Sequence, residues 1–332
     1  MTIEKRVVRY NELKPCTNAF IDTRSPGSDK KENFTVIGPG VSENPNQHVH
    51  ISIPHGFNVG GARQPAGCLN SQHSHLTEEV FVVHTGQWDF ISGVNANDGR
   101  ITLNEGDIIS IPTDIFRGFE NSGDGIGYLH AVLGGDDPGR VLWSPAVFEM
   151  AEEYGLILLE NGSLVDTTIG ETVPDNVRPM AVTTKEQIEE HRVVNSEAMN
   201  QIVLRTSDFN WSHDTQLSKF KGVEEAPLVG GDNPTEGIVA SKLNWAHGFV
   251  IRALRFKAKA SIPEHTRAEE EVIFVHQGEL KVTLEDESIT LTKGDNFTTP
   301  IGATRGFENT GDEDCVVYVT RGGNSPEIAV FN

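Results

Sequence analysis

Basic residues are scarce in this chain of 332 residues: 27 lysines and arginines stand against 48 aspartates and glutamates, a formal net charge of −21. So acidic a chain lacks the clustered cations that nucleic acid and anionic membranes require, and neither is expected as a partner. Any anionic small molecule would have to be drawn in by local positive charge. Cysteine is also sparse. Cys16, Cys68 and Cys315 have neither zinc spacing nor the numbers for a disulfide framework, which suits a cytoplasmic protein with reduced thiols. No run approaches the roughly 18 apolar residues of a membrane span. None follows the opening Met-Thr-Ile-Glu-Lys-Arg, so no secretory signal is expected. Hydrophobic residues make up only 37% of the chain, enough for barrels whose strands alternate inward and outward.

What the sequence does hold is a repeat. His265 and His73, Glu271 and Glu79, and Gly278 and Gly86 each differ by 192 positions, as do His247-Gly248-Phe249 and His55-Gly56-Phe57. After a four-residue shortening the offset is 188, relating Gly294 to Gly106, Pro300 to Pro112 and Asn309 to Asn121. Arg-Gly-Phe-Glu-Asn occurs at 117–121 and again at 305–309.

Each copy reads as short strands. Val80–Val83, Ile108–Ile111, Val272–Val275 and Val316–Val319 are β-branched or aromatic runs separated by Gly, Asn and Asp turns, the pattern of an all-β sandwich or barrel. Between the copies, 146–159 and 183–193 carry helical spacing, the second opening on a capping start, Thr-Thr-Lys-Glu. The expected division is an N-terminal barrel at 1–140 with an N-terminal arm, a partly helical connector at 141–200, and a C-terminal barrel at 201–332. Lys30-Lys31-Glu32 is expected in a solvated turn of that arm.

His73-x-His75-x-x-x-Glu79 brings two imidazoles and a carboxylate together, a set that holds a divalent metal and leaves positions open for substrate or oxygen. The second copy has Arg267 in place of the second histidine. His265, Arg267, Glu271 and Arg305 then form either a small-anion pocket or an internal salt-bridge network. The network is favoured, because buried charges are usually paired off.

These motifs resemble those of the cupin superfamily, and their duplication resembles a bicupin. Gly67, His73, His75, Glu79 and Gly86 match every element of the first cupin motif, and Gly106, Pro112 and Asn121 match the second. Arg117 stands where that motif has a fourth, histidine ligand, and Arg305 repeats the departure. The resemblance implies two double-stranded β-helix (jelly-roll) barrels, with one divalent transition metal per chain in the N-terminal barrel: iron first, with manganese, nickel or zinc as alternatives. Bicupins of this length include quercetinase- and gentisate-dioxygenase-type enzymes and oxalate-degrading enzymes. A homodimer is expected by the same analogy.

Arg117 has two readings: a bidentate clamp on an anionic substrate, or a buried partner of Glu79. His130, whose counterpart is Tyr318, is a candidate general base or substitute ligand, with a core histidine as the plainer reading. Gln72 would donate to substrate or water. Strand alternation turns His84 and His276 away from the pocket. Phe81, Trp88, Phe90, Phe116 and Phe119 either shape a pocket or fill the core. The leading function is a metal-dependent oxidoreductase of dioxygenase type, acting on a small aromatic or carboxylated molecule. A non-redox isomerase or lyase and a non-catalytic small-anion binder are the alternatives.

Overall fold

The computed structural model describes residues 2–331. Two compact units divide the chain: one holds 14–52 and 58–203, the other the chain up to Leu13, 53–57 and the residues from Leu204 onward.

In the first unit, apolar residues alternate along strands that pair antiparallel except at the edge, where Glu32–Ile37 and Val49–Ile51 run parallel, and two sheets bury them against each other. The larger sheet runs in the order Val203–Leu204, Ile108–Ile111, Glu79–Thr85, Gly127–Gly134, Phe57–Gln64, Glu32–Ile37 and Val49–Ile51. The smaller one runs Leu142–Trp143, Leu69–Ser74, Arg117–Asn121, Trp88–Ser92 and Gly99–Leu103. Phe81, Ile109 and Leu129 of the larger sheet meet Trp88, Phe90, Leu103 and Phe119 of the smaller in one core. The second unit repeats the design. Glu271–Gln277, Cys315–Gly322 and Phe249–Phe256 lie central in one sheet, and Glu279–Leu284, Arg305–Glu308 and Ser261–Thr266 in the other.

The duplication holds to the level of register. Arg117 lies opposite His73 and Trp143 opposite the same histidine, as Arg305 and Phe331 lie opposite His265. Glu79 pairs with Leu133, and Glu271 with Arg321. Both units are jelly rolls of the kind the motifs implied.

The units cut across the expected boundaries 1–140, 141–200 and 201–332. Val7 and Val8 pair with Phe297 and Asn296, so the start of the chain belongs to the unit of the second repeat. The connector packs onto the first unit through Val141, Trp143, Val147, Ala151, Leu156 and Leu158. Its first helix, Pro145–Glu153, is shorter than the pattern over 146–159 implied. Gly155 adopts φ +81°, which ends the helix, and Leu156–Leu158 turns back as a strand against Leu164–Asp166. The later helix, Lys185–Glu189, starts at a capping box formed by Thr184 and Gln187.

Lys31 departs from expectation too. Its side chain is buried rather than solvated, ion-paired with Asp22 and donating to Asn70 Oδ1 at 2.9 Å.

The shared Asn of the pentapeptide staples the turn that follows it. Asn121 Nδ2 donates to the carbonyls of Gln64 (2.7 Å) and Gly125 (2.8 Å), and its Oδ1 accepts from the Gly123 amide at 3.0 Å. Asn309 does the same with Phe256, Glu313 and Gly311. Asn121→Ala would strand these buried backbone groups at a loss of about 1–3 kcal/mol. Denaturant unfolding should show a lower midpoint for the first unit, and an unchanged midpoint would count against the staple.

Candidate metal centre

His73 lies on the strand Leu69–Ser74, His75 just beyond its end, and Glu79 opens the strand Glu79–Thr85 in the opposite sheet. The short turn between them brings one ligand atom from each within 4.8 Å of the others, all three side chains being buried. No other group of three such residues gathers this way among the described residues. The trio lines a cavity of about 80 Å³ together with Asn70, Phe81, Phe119, Leu133 and Trp143.

Both imidazoles are set up as lone-pair donors. His73 Nδ1 is 2.6 Å from the Ser71 carbonyl, which can only accept, so that nitrogen carries the hydrogen and Nε2 keeps its lone pair. Trp143 packs against the His73 ring at 5.2 Å, and its Nε1 donates to Glu43 Oε1 at 2.6 Å. The same Glu43 is buried, which pushes its carboxyl up to about 8. His75 Nε2 is 3.6 Å from Glu79, while its Nδ1 is buried without a hydrogen-bond partner. Burial, then the Arg117 cation, holds both histidines well below the usual imidazole range, so both are neutral at pH 7. Two neutral imidazoles, a carboxylate and an orphaned ring nitrogen fit a divalent transition metal.

Arg117 takes the second of its two readings. Its Nη2 is ion-paired with Glu79 Oε2 and its Nη1 donates to the His73 carbonyl at 3.2 Å. It does not line the cavity, so the guanidinium braces the carboxylate from behind instead of reaching toward a substrate. Burial holds the Glu79 carboxyl above the usual carboxylate range, and Arg117 offsets only part of that rise.

Gln72 and His130, the two other catalytic candidates, lie outside the cavity, and His130 takes its plainer reading as a core histidine. Gln72 alternates with His73 and points outward, its Nε2 donating to the carbonyls of Ile91 (3.1 Å) and Gly93 (2.6 Å). His130 lies between the inward positions of its strand: Ala131 and Leu133 line the cavity, and His130 takes the opposite face. Of the five aromatic candidates, Phe81 and Phe119 line the cavity. Trp88 and Phe90 fill the core, and Phe116 packs on His191. His84 and His276 turn away from the interior and rest on Tyr128 and Tyr318.

In the second repeat the same interior is occupied by ion pairs. Arg267 Nε lies 3.2 Å from Glu271 and Arg305 Nε 3.6 Å from it. Arg267 also donates to Glu236 at 2.8 Å, and Arg321 binds Glu236 (2.6 Å) and Glu269 (3.0 Å). Burial would raise Glu271, but Arg267 and Arg305 hold it below the usual carboxylate range. By the offsets of the repeat, Arg252, Arg267 and Arg321 replace Gly60, His75 and Leu133, three residues that line the first cavity. Arg252, Arg321, Glu236 and Glu269 were missed from the sequence. The constant offset marks the first two, since Gly→Arg and Leu→Arg at inward positions announce a filled barrel.

Residues 253–321 match the family described as Cupin domain. Among solved structures, the Lactobacillus farciminis oxalate decarboxylase formate complex aligns over 100% of this chain and 89% of its own at TM-score 0.58 and 12% identity. Bacillus subtilis oxalate decarboxylase, in a study of its Mn(II) centres, aligns over 98% and 78% at TM-score 0.55 and 11% identity. AerE from Microcystis aeruginosa aligns over 99% and 100% at TM-score 0.51 and 12% identity. The fold is that of a bicupin. None of the curated proteins compared matches it by sequence. At such identities the likeness is one of fold, and this chain's own residues must carry the chemistry.

Arg117→Met should cost on the order of 3–5 kcal/mol, because it leaves a buried carboxylate without its cation. A divalent metal replaces part of that missing charge. Adding manganese(II) to the metal-free proteins should therefore raise the melting temperature of Arg117→Met by more than that of the parent. Equal shifts would show that the metal does not meet Glu79.

Proposed function

We propose that this bicupin is a metal-dependent enzyme acting on a small organic acid, with one divalent metal held by His73, His75 and Glu79. The observation that carries the reading is the pairing of that donor set with a cavity of about 80 Å³ in which no lysine or arginine appears. The metal supplies Lewis acidity and open positions for substrate and, if it is iron or manganese, for oxygen. The protein contributes the rest. Phe81, Phe119 and Leu133 make the wall beside the ligands apolar and restrict water. Asn33 and Asn70 offer neutral amides to the substrate's polar end. Arg117 favours the ionised form of Glu79 against its burial and holds the carboxylate in place.

Two reaction types suit this site. The two-histidine, one-carboxylate set favours a dioxygenase-type oxidoreductase, with iron as the first metal and manganese, nickel or zinc as alternatives. The likeness in fold to oxalate decarboxylases, which act on a very small carboxylate, favours carbon–carbon cleavage without net oxidation. The cavity's size argues for small carboxylates in either case and against a flavonol.

Because no lysine or arginine faces the cavity, the charge of a bound acid would be balanced there by the metal. Calorimetry should show small mono- and dicarboxylates binding the metal-loaded protein and not the metal-free protein. Carboxylate binding to metal-free protein would overturn the reading. Turnover assays on the loaded protein then separate the two types. Oxygen uptake in proportion to substrate consumed marks an oxygenase, and carbon dioxide release without net uptake marks a lyase.

A further inference from the structure

The strand that carries His73 is bulged. It faces Arg117 at His73 and Phe119 at Asn70, so two residues, Ser71 and Gln72, stand against the single Gly118. The bulge takes the Ser71 backbone out of the ladder, and a buried charge serves it: the Ser71 amide donates to Asp22 Oδ2 at 3.0 Å. The Ser71 carbonyl is the group that accepts the His73 Nδ1 hydrogen at 2.6 Å. Behind Asp22 lies Lys31, ion-paired with it, both side chains being fully buried. Lys31 also donates to Asn70 Oδ1 at 2.9 Å, and Asn70 Nδ2 rests 3.4 Å from His73 Nδ1. The Nδ1 edge of the His73 imidazole thus meets two groups, the Ser71 carbonyl and the Asn70 amide, that one buried ion pair holds still.

The second repeat shows that the fold does not need this arrangement. Its strand bulges at the same place, between Ile262 and His265, and His265 Nδ1 still meets the carbonyl two residues back, at Pro263 (2.9 Å). Pairing of Glu32 with Arg63 and of Glu224 with Arg255, and of Asn70 with Phe119 and of Ile262 with Phe307, fixes the correspondence. Lys31, Asn70 and Ser71 become Val223, Ile262 and Pro263. A proline has no amide to satisfy, and valine and isoleucine simply join the core of that unit. The bulge is therefore built without charge where no metal donor set exists.

Burying a lysine and an aspartate is costly, and such pairs are often no more stable than apolar residues of like size. Their presence only in the barrel with the donor set calls for a role beyond stability. We infer that Asp22, Lys31 and Asn70 are positioning residues for the metal centre, holding the Ser71 backbone and the Nδ1 edge of His73 in place so that its Nε2 is presented as a ligand. The inference rests on His73 being a metal ligand. It goes beyond that reading by assigning residues that no ligand motif contains.

The test reads metal affinity and ligand field, not turnover. Cobalt(II) affinity is measured by chelator competition, and its visible absorption spectrum recorded, for the parent, Asn70→Ile, the double variant Asp22→Asn with Lys31→Met, and His73→Ala. Asn70→Ile copies the second repeat, and the double variant removes both charges together so that neither is left unpaired. A ten- to hundredfold loss of affinity with an altered spectrum is expected in both, the range found for groups that orient metal-bound histidines. Parent-like affinity and spectrum in Asn70→Ile, with at most a lower melting temperature, would overturn the inference whether or not the double variant folds. His73→Ala is the control for the ligand reading. If it keeps parent affinity, His73 is no ligand and the metal-site reading itself falls, a result distinct from failure of the network alone.

Discussion

A carboxylate inside a barrel has to be compensated, and the rest of the site depends on how Glu79 is. Left alone in a low-dielectric interior it would cost several kcal/mol. Arg117 supplies one positive partner through the strand that pairs with His73, and it does so from behind, without entering the cavity. The front of the carboxylate is left toward two neutral imidazoles whose lone pairs are not used up by protons. A divalent cation completes that balance. The cavity, its apolar wall and the buried pair behind His73 all become intelligible as consequences of one charge held where water cannot reach it.

The second barrel solves the same problem without a metal. Glu271 is inherited at the same register, but Arg267 and Arg305 both approach it, and Arg321 and Arg252 enter from strands that carry leucine and glycine in the first repeat. Glu236 and Glu269 balance the added arginines. Closely matched register with opposite interior chemistry suggests that the barrel frame, set by turn glycines and the Asn121 and Asn309 staples, is independent of what fills it.

Much of this was legible in the sequence, because repeats expose themselves by constant offsets and strands by period-two alternation. The His73, His75 and Glu79 set and the ion-pair reading of the second barrel came from residue type and spacing alone. Other features depend on information that spacing does not contain. Whether Arg117 reaches past Glu79 or into the cavity is decided by its rotamer. Gln72 was misplaced because a strand sends neighbours to opposite faces, so adjacency to a ligand is evidence against sharing its pocket, whereas His130 takes its plainer reading, a buried histidine outside the cavity. Lys31 sits in a Lys-Lys-Glu run that reads as solvated, and only the fold shows Asp22 and Asn70 waiting for it. The helix pattern over 146–159 overran because apolar spacing carries no stop signal, whereas the left-handed conformation of Gly155 ends the helix.

The central claim is that one barrel of the two is a metal site. Crystals of the protein loaded with manganese(II), measured for anomalous scattering and paired with elemental analysis of the same preparation, test it most directly. The account predicts one ion per chain, bound by His73, His75 and Glu79 at about 2.0–2.3 Å, with no anomalous signal beside His265 and Glu271. An ion in the second barrel, or an empty first barrel with Arg117 and Glu79 still paired at saturating metal, would contradict it.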